Sequence, residues 1–457
     1  MKFPPVLDRN FIPAVLWRRE FDERAASSDK KEQVLLALTR SDGTVYRHDT
    51  SVPPHIGSQA HDNIRHIERL IKFLLWQKGG DRVLISGPEQ LVSSLSSLYA
   101  PCGRQEFDSS FIGKKIFGKP LEIVRVQASD MPAARDISAP LGRHLDGCRI
   151  GFDLGGSDRK CASLIDGEVI FSEEIKWSPY FEKDPNYHIK GIQHSIDLAA
   201  SKLPRVDAIG GSAAGIYIDN EVRGGSLYRG LSEQDFDKHI RRFFIALGEK
   251  WGVPLEIVND GEVAALAGAM SLNDNAVLGI SFGTSLASGF VTPAGNITSW
   301  LNELAFVPVD YRSDAPVDEW SGDRGCGVQY FSQQAVARLS PIAGFDFPAD
   351  LPYPELLVAV QEAMKKGDPR AEAIFRTIGS YFGYTLALLS EFYDYRNLLI
   401  MGRVTSEQGG EIINDQAGEV LKQEFPELSY IRLCTPDEKN KRHGQAIAAA
   451  SLPGRAR

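Results

Sequence analysis

A chain of 457 residues is too long for one ordinary core, so two or three domains are expected. Hydrophobic content of 43% and charged content of 24% sit in the globular range, and a formal net charge of −9 excludes a nucleic-acid surface spread over the whole molecule. No apolar run reaches the roughly 18 residues of a membrane span. The start, Met1-Lys2-Phe3-Pro4-Pro5, lacks a signal-peptide pattern, and the scattered Cys102, Cys148, Cys161, Cys326 and Cys434 read as reduced thiols in the cytoplasm.

The first unit runs from residue 1 to about 148. Val34 to Thr39, a turn at Asp42-Gly43 and a run from Val45 predict strand, tight turn, strand. Ile64, Ile67, Leu70, Ile71, Leu74 and Leu75 mark one face of a helix over 61–77, and Arg82 to Ser86 a buried strand ended by Gly87-Pro88. The unit is therefore α/β, and Ala128 to Pro140 reads as a linker.

A second unit opens at Cys148, with a turn at Asp166-Gly167, a strand from Glu168 to Phe171, a helix over 189–202 and a strand from Val206 to Ile209. This order resembles that of residues 34–88 and leaves a degenerate repeat open. Alternating α/β pattern continues to the end. Helices are expected over 262–270, 328–339, 355–366 and 370–392, strands over 276–281 and 397–401, and an Ala-rich helix over 443–451.

Four segments along these units carry chemistry. In Asp153-Leu154-Gly155-Gly156-Ser157, directly after an apolar strand, the glycines let backbone N–H groups face an anion. Ser157 adds a hydroxyl, and Asp153 can hold magnesium through water; the plain alternative is a hairpin with a solvated Asp. Asn259-Asp260 ends a strand where an Ala-rich helix begins, so Asp260 either caps that helix or projects into the cleft beyond the strand ends as a general base. Gly283-Thr284-Ser285 forms a second phosphate-type turn, with a further hydroxyl at Ser288. Gly402 follows a buried strand and opens a helix, a turn suited to the adenosine end of a nucleotide.

Taken in this order, the four segments resemble the ROK sugar kinases and related repressors, over about residues 149–452. The resemblance implies a two-lobed, actin-like (ribonuclease H-like) ATPase fold with an additional N-terminal α/β domain. Its lobes would be 149–261 and 262–457, the final helix returning to the first lobe. It implies ATP and magnesium, with Asp260 as the catalytic base. Asp153, Gly155, Gly156, Ser157, Gly283, Thr284, Ser285 and Gly402 would hold the nucleotide, and Asn259, Glu303 and Ser226 the acceptor. The Gly210-Gly211 segment is similar to the one before the family's sugar loop.

The departures concern the acceptor. The family's sugar- and zinc-binding His stands here as Phe306, a sugar-binding Glu as Val328, and the sugar-loop Asn falls near Ser226. Of the zinc ligands only Cys326 remains, so no zinc is expected. Residues 1–148 lack the basic recognition helix of the repressors, so no nucleic acid is expected as a partner. A homodimer is left open. The reading is an ATP-dependent phosphotransferase acting on a hydroxyl of a sugar or sugar-like molecule. A non-catalytic sugar- or nucleotide-binding regulator on the same scaffold, and an ATP-dependent activity on another substrate, stay open.

Overall fold

The computed structural model describes residues 1–137, 140–435 and 444–454. Helix α1 (Ala14–Ala26) precedes a sheet made of β1 (Glu32–Thr39), β2 (Val45–Val52), β3 (Arg82–Ser86) and β4 (Glu122–Arg125), in the order β2-β1-β3-β4. Between β2 and β3 lies α2 (Gly57–Lys78), which extends the expected helix at its N-terminal end. Helix α3 (Glu89–Tyr99), the three-residue α4 (Glu106–Asp108) and a π-helical turn (Ser109–Ile116) link β3 to β4.

The first lobe is a five-stranded sheet of β5 (Cys148–Leu154), β6 (Asp158–Ile165), β7 (Glu168–Lys176), β8 (Ala208–Ala213) and β11 (Leu255–Asn259), ordered β11-β8-β5-β6-β7. Helix α5 (Pro185–Ala200) joins β7 to β8. A small hairpin of β9 (Ile216–Ile218) and β10 (Glu221–Gly224) follows, then α6 (Glu233–Asp235) and α7 (Phe243–Trp251). Strand β5 is buried at every residue, which fits its central place in the sheet.

Helix α8 (Asp260–Leu272) leads from the first lobe into the second. The sheet of the second lobe is formed by β12 (Val277–Phe282), β13 (Leu286–Val291), β14 (Asn397–Met401) and β15 (Arg432–Cys434), ordered β13-β12-β14-β15. Around it lie α9 (Gln333–Ile342), α10 (Tyr353–Lys365), α11 (Pro369–Leu389) and α12 (Glu407–Glu424). Helix α9 starts later than expected, because Gly327–Gln329 forms a separate 3-10 turn and Ser332 caps the helix through Gln334 N.

The topology argues against the degenerate repeat. Strand β1 pairs antiparallel to β3, whereas its counterpart β5 pairs parallel to β8. The first lobe leaves its meander after three strands and the N-terminal unit after two. The chain therefore departs from opposite ends of the two sheets, and the next strand enters with opposite polarity.

Buried side chains of the N-terminal unit, such as Phe11, Trp76 and Ile112, form one continuous apolar cluster with Tyr330, Tyr381 and Leu398 of the second lobe. The first lobe keeps a separate core around Ile150, Phe152, Ile209, Phe244 and Ile257. Helix α13 (Gly444–Ala450) lies between the lobes: Ala446 and Ala450 pack on Ala162 and Leu164, while Ala448 and Ala449 join Val263, Leu266 and Leu399. Gly151 and Gly210 make this approach possible, because a Cβ on either would run into the carbonyl of Ala446 or Ala449.

Overpacking of this kind typically costs about 1–3 kcal/mol. Gly210→Ala should therefore lower the thermal midpoint by several degrees, measurable by calorimetry, whereas Gly418→Ala, half-buried with only Leu433 at ordinary contact distance, should not.

Candidate active site between the lobes

The expected residues of the two turns and of the Asn259-Asp260 junction lie at strand ends of both lobes, and the charges of Asp153, Asp260 and Glu303 act on one another. Asp153, near the end of β5, is 7% exposed; its Oδ1 accepts a 2.6 Å hydrogen bond from the Ser212 hydroxyl on β8. Burial pushes the Asp153 carboxyl upward, and the Ser212 bond opposes that shift. Gly155 N donates to Asp158 O at 2.9 Å and closes the turn, and Trp177 Nε1 donates to Gly155 O at 2.8 Å. Gly156 has no room for a side chain, since a Cβ would fall on the Tyr180 hydroxyl. The exposed Ser157 donates its hydroxyl to Asp158 Oδ2 at 2.8 Å, so in this arrangement its proton stays within the turn.

At the junction of β11 and α8 the structure separates two roles that sequence left together. Asn259 is the cap: its Oδ1 accepts from Gly261 N at 2.7 Å, and its Nδ2 donates to Gly215 O at 2.8 Å. Asp260 is the first helical residue, and its Oδ1 reaches the same N–H at 3.0 Å. Burial first, and then the negative charge of Asp153, push the Asp260 carboxyl up to about 6.

Glu303 faces this carboxylate from the second lobe. Its carboxyl is pushed up to about 7, by burial and then by Asp260. Among the described residues no protein group donates a hydrogen bond to it. The backbone that presents it is held firmly. Asn302 has φ of 49° and donates through Nδ2 to Glu262 Oε1; its Oδ1 accepts from the Tyr393 hydroxyl at 2.7 Å. Glu262, two residues after Asp260, also accepts from Phe290 N at 3.1 Å, and its burial pushes it up to about 8. Sequence reasoning assigned no role to Glu262 or Asn302. Their only signal was adjacency to Asp260 and Glu303.

The second turn is closed by Gly283 N donating to Ser285 O at 2.9 Å, and Gly283 O accepts from Gln333 N at the start of α9, also at 2.9 Å. Thr284 and Ser285 are exposed. Ser288 is buried and donates to Asn302 O, so it supports the Glu303 segment and is not a phosphate-facing hydroxyl. Gly402, with φ of 99°, packs against Phe282 so closely that a Cβ would strike the Phe282 carbonyl, which sets the end of β14 beside the second turn. The helix it was expected to open starts at Glu407, after a 3-10 turn over Arg403–Thr405. Ser226 is exposed at the start of a 3-10 turn; the preceding Gly225 lies against Ala214 and Gly215, beside the Asn259 amide. The glycines at 210 and 211 serve packing: Gly210 lies under α13 and Gly211 under the Phe152 ring.

The segments aligned with zinc ligands are filled by other interactions. Phe306 stacks on Trp76 of α2 with centroids 4.1 Å apart, and Val328 lies in the core. Cys326 is buried, and burial pushes its thiol up to about 12. Asp323 pairs with Arg69 at 2.9 Å and with Lys72 at 3.2 Å. Among the described residues no group of three His, Cys, Asp or Glu side chains is placed to hold a metal ion. Nor is any described helix long and apolar enough to cross a membrane.

No protein-family model and no curated protein matches the sequence. Solved structures do. One is the ROK hexokinase from Thermus thermophilus, 19% identical over 66% of this chain and 96% of that one, with a TM-score of 0.54. Another is a ROK family transcriptional regulator, a homolog of the E. coli MLC protein, 18% identical over 67% of this chain and 79% of that one, with a TM-score of 0.53. Likeness over two-thirds of the chain leaves room for an added unit. The chain therefore has the two-lobed, actin-like ATPase fold of the ROK proteins, extended by an N-terminal α/β domain.

Proposed function

We propose that the protein transfers the γ-phosphate of ATP to a hydroxyl of a sugar or sugar-like small molecule. The observation that carries this reading is Asp260: Asn259 supplies the helix cap, so the carboxylate is not required for capping and is held half-buried beside Asp153 and Glu303. A base raised toward neutrality is matched to proton abstraction near physiological pH. In this reading residues 1–148 are the added domain and 149–261 and 262–457 the two lobes.

The residues fit a magnesium nucleotide. Magnesium takes one or two carboxylates and completes its shell with water and phosphate oxygens, so Asp153 is a sufficient protein contribution. Bound magnesium would neutralise the phosphate charge that builds up during transfer. The backbone at Gly155, Gly156, Gly283 and Thr284 would grip the phosphates, with Ser157 and Ser285 at the turn edges and Gly402 at the nucleoside end. Asp260 accepts the proton of the attacking hydroxyl. Glu303, whose carboxylate accepts from no donor among the described residues, holds a second hydroxyl, and Asn259 and Ser226 line the same end.

A regulatory binding role is a second reading, favoured by the apolar Phe306 and Val328 on the acceptor side. Thermal-shift titration separates the two. The kinase reading expects stabilisation by ATP with magnesium and turnover of at least one member of a hexose panel. Stabilisation by a sugar alone, with no turnover, would favour the regulator.

Three outcomes follow. Asp260→Asn should lower kcat by about a hundredfold or more and leave nucleotide affinity unchanged, because the Asn259 cap and both turns stay intact. Near-normal turnover would remove Asp260 from the mechanism.

The second outcome concerns pH. Asp260 and Glu303 titrate above the ordinary carboxylate values of 3.8 and 4.5, so the native state holds their protons more tightly than the unfolded chain does. Their burial therefore destabilises the fold progressively as pH rises from about 4 to about 7. Asp260→Asn should then raise the melting temperature more at pH 8 than at pH 5. Activity of the unaltered protein should fall below about pH 6, as Asp260 becomes protonated. A rate independent of pH between 5 and 8 would contradict the assignment.

Third, elemental analysis of the purified protein should find no stoichiometric zinc. About one zinc per chain would overturn the alignment of residues 302–328.

A further inference from the structure

The C-terminal end of α2 is where the N-terminal unit meets the acceptor side of the cleft. A helix leaves its last four carbonyls without partners inside the helix. Here Leu75 O accepts from Gly79 N at 2.9 Å, and Lys78 O accepts from the Arg40 guanidinium. The other two accept from the acceptor segment itself: Gln77 O from Asn302 N and Trp76 O from Glu303 N, both at 3.0 Å. The backbone that presents the Glu303 carboxylate is thus built as part of the C-terminal cap of a helix from residues 1–148.

The same helix face holds a second piece of the acceptor side. Arg69, Lys72 and Trp76 are spaced at three and four residues and lie together. Lys72 is fully buried and pairs with Asp108 at 2.7 Å and with Asp323 at 3.2 Å, while Arg69 pairs with Asp323 at 2.9 Å and with Glu68 at 2.7 Å. Trp76 Nε1 donates to Asp108 at 3.0 Å, and its ring carries Phe306, three residues beyond Glu303. One set of side chains therefore fixes both the 302–306 and the 323–326 segments.

We propose that α2 is the positioning element of the acceptor site, with Lys72, Asp108 and Trp76 as positioning residues that hold Glu303 toward Asp260. Residues 1–148 are then a working part of that site, doing with a buried ion-pair cluster and an aromatic stack what a metal would do between the same segments. The role in acceptor binding rests on the phosphotransfer reading; the clamp on Asn302 and Glu303 does not.

Hydrogen exchange of the full-length protein, without ligand, tests the clamp. In Lys72→Met, exchange in the peptide covering 300–307 should rise by about tenfold or more, with β12 and the first lobe unchanged. Because Lys72→Met leaves two buried carboxylates short of a partner, Asp108→Asn serves as the milder variant. It keeps an acceptor for Trp76 Nε1 and should raise exchange in the same peptide by about threefold. Unchanged exchange at 300–307 in a folded variant, or an equal rise throughout α11 and β12, would overturn the proposal.

Kinetics with the hexose panel and ATP then test the consequence. In either variant, KM for the hexose that is turned over should rise by about tenfold while KM for ATP stays within about twofold. Equal effects on both substrates would refute positioning of the acceptor. If the unaltered protein turns over no hexose, the phosphotransfer reading fails, and the exchange measurement still decides whether α2 holds Glu303.

Discussion

The ammonium of Lys72, buried to the last atom between Asp108 and Asp323, is the constraint on which this molecule is arranged. A buried charge is tolerable only when it is paired and hydrogen-bonded, and breaking one partner of such a pair costs about 3–5 kcal/mol. The partners come from two distant stretches of chain, Asp108 in the N-terminal unit and Asp323 in the second lobe. Neither stretch can leave without stranding charge. Against the upward push of burial, attraction to Lys72 and Arg69 holds the Asp323 carboxyl far below its ordinary range, whereas burial leaves the Asp108 carboxyl raised. The continuous apolar cluster around Trp76, Tyr330 and Tyr381 follows from this joint, because the ion pairs fix the register in which the two surfaces meet.

The cleft is arranged on a different principle. Asp153, Asp260 and Glu303 are all raised by burial, and Asp260 is raised further by Asp153 and Glu303 by Asp260. A cluster of half-satisfied carboxylates weakens a fold, and that cost is characteristic of sites that await a cation or a proton donor. Glu262 shows the contrast. More deeply buried than Asp260 or Glu303, it accepts from both Phe290 N and Asn302 Nδ2, and so serves as an internal strut. The two acidic residues that flank Gly261 thus differ in their donors: Asp260 accepts from Gly261 N, Glu262 from Phe290 N and Asn302 Nδ2.

Much of this arrangement was legible in the sequence. The two glycine turns, the Asn259-Asp260 junction and the Ala-rich last helix are short-range patterns, and each lies where its pattern put it. Residues whose meaning depends on a distant partner were not legible. Helix α1 carries a buried Arg18 paired with Glu391, so its apolar period is broken by a charge that looks exposed until Glu391 is placed beside it. Ser288 reads as a phosphate hydroxyl from its neighbours, yet its partner is the Asn302 carbonyl on another segment. Phe306 reads as a lost ligand and becomes a contact only once Trp76 lies beneath it.

These contacts also decide which bodies can move. Helix α13 joins the lobes through small alanine faces and two glycines. On the other side, the N-terminal unit shares its core with the second lobe. It meets the first lobe at the β9–β10 hairpin, where the Lys115 stem lies beside Gly224 and Ile216 and Ile218 pack against the shared cluster. The hairpin alternates, and Tyr217 turns the other way, against Phe244 in the first-lobe core. A partly buried edge of two isoleucines and one lysine stem is far weaker than a continuous core with buried ion pairs. Any closing motion of the lobes would therefore carry the N-terminal unit with the second lobe and be absorbed at that hairpin. Glu303 and its clamp would move as one body toward Asp153 and the Asn259 cap.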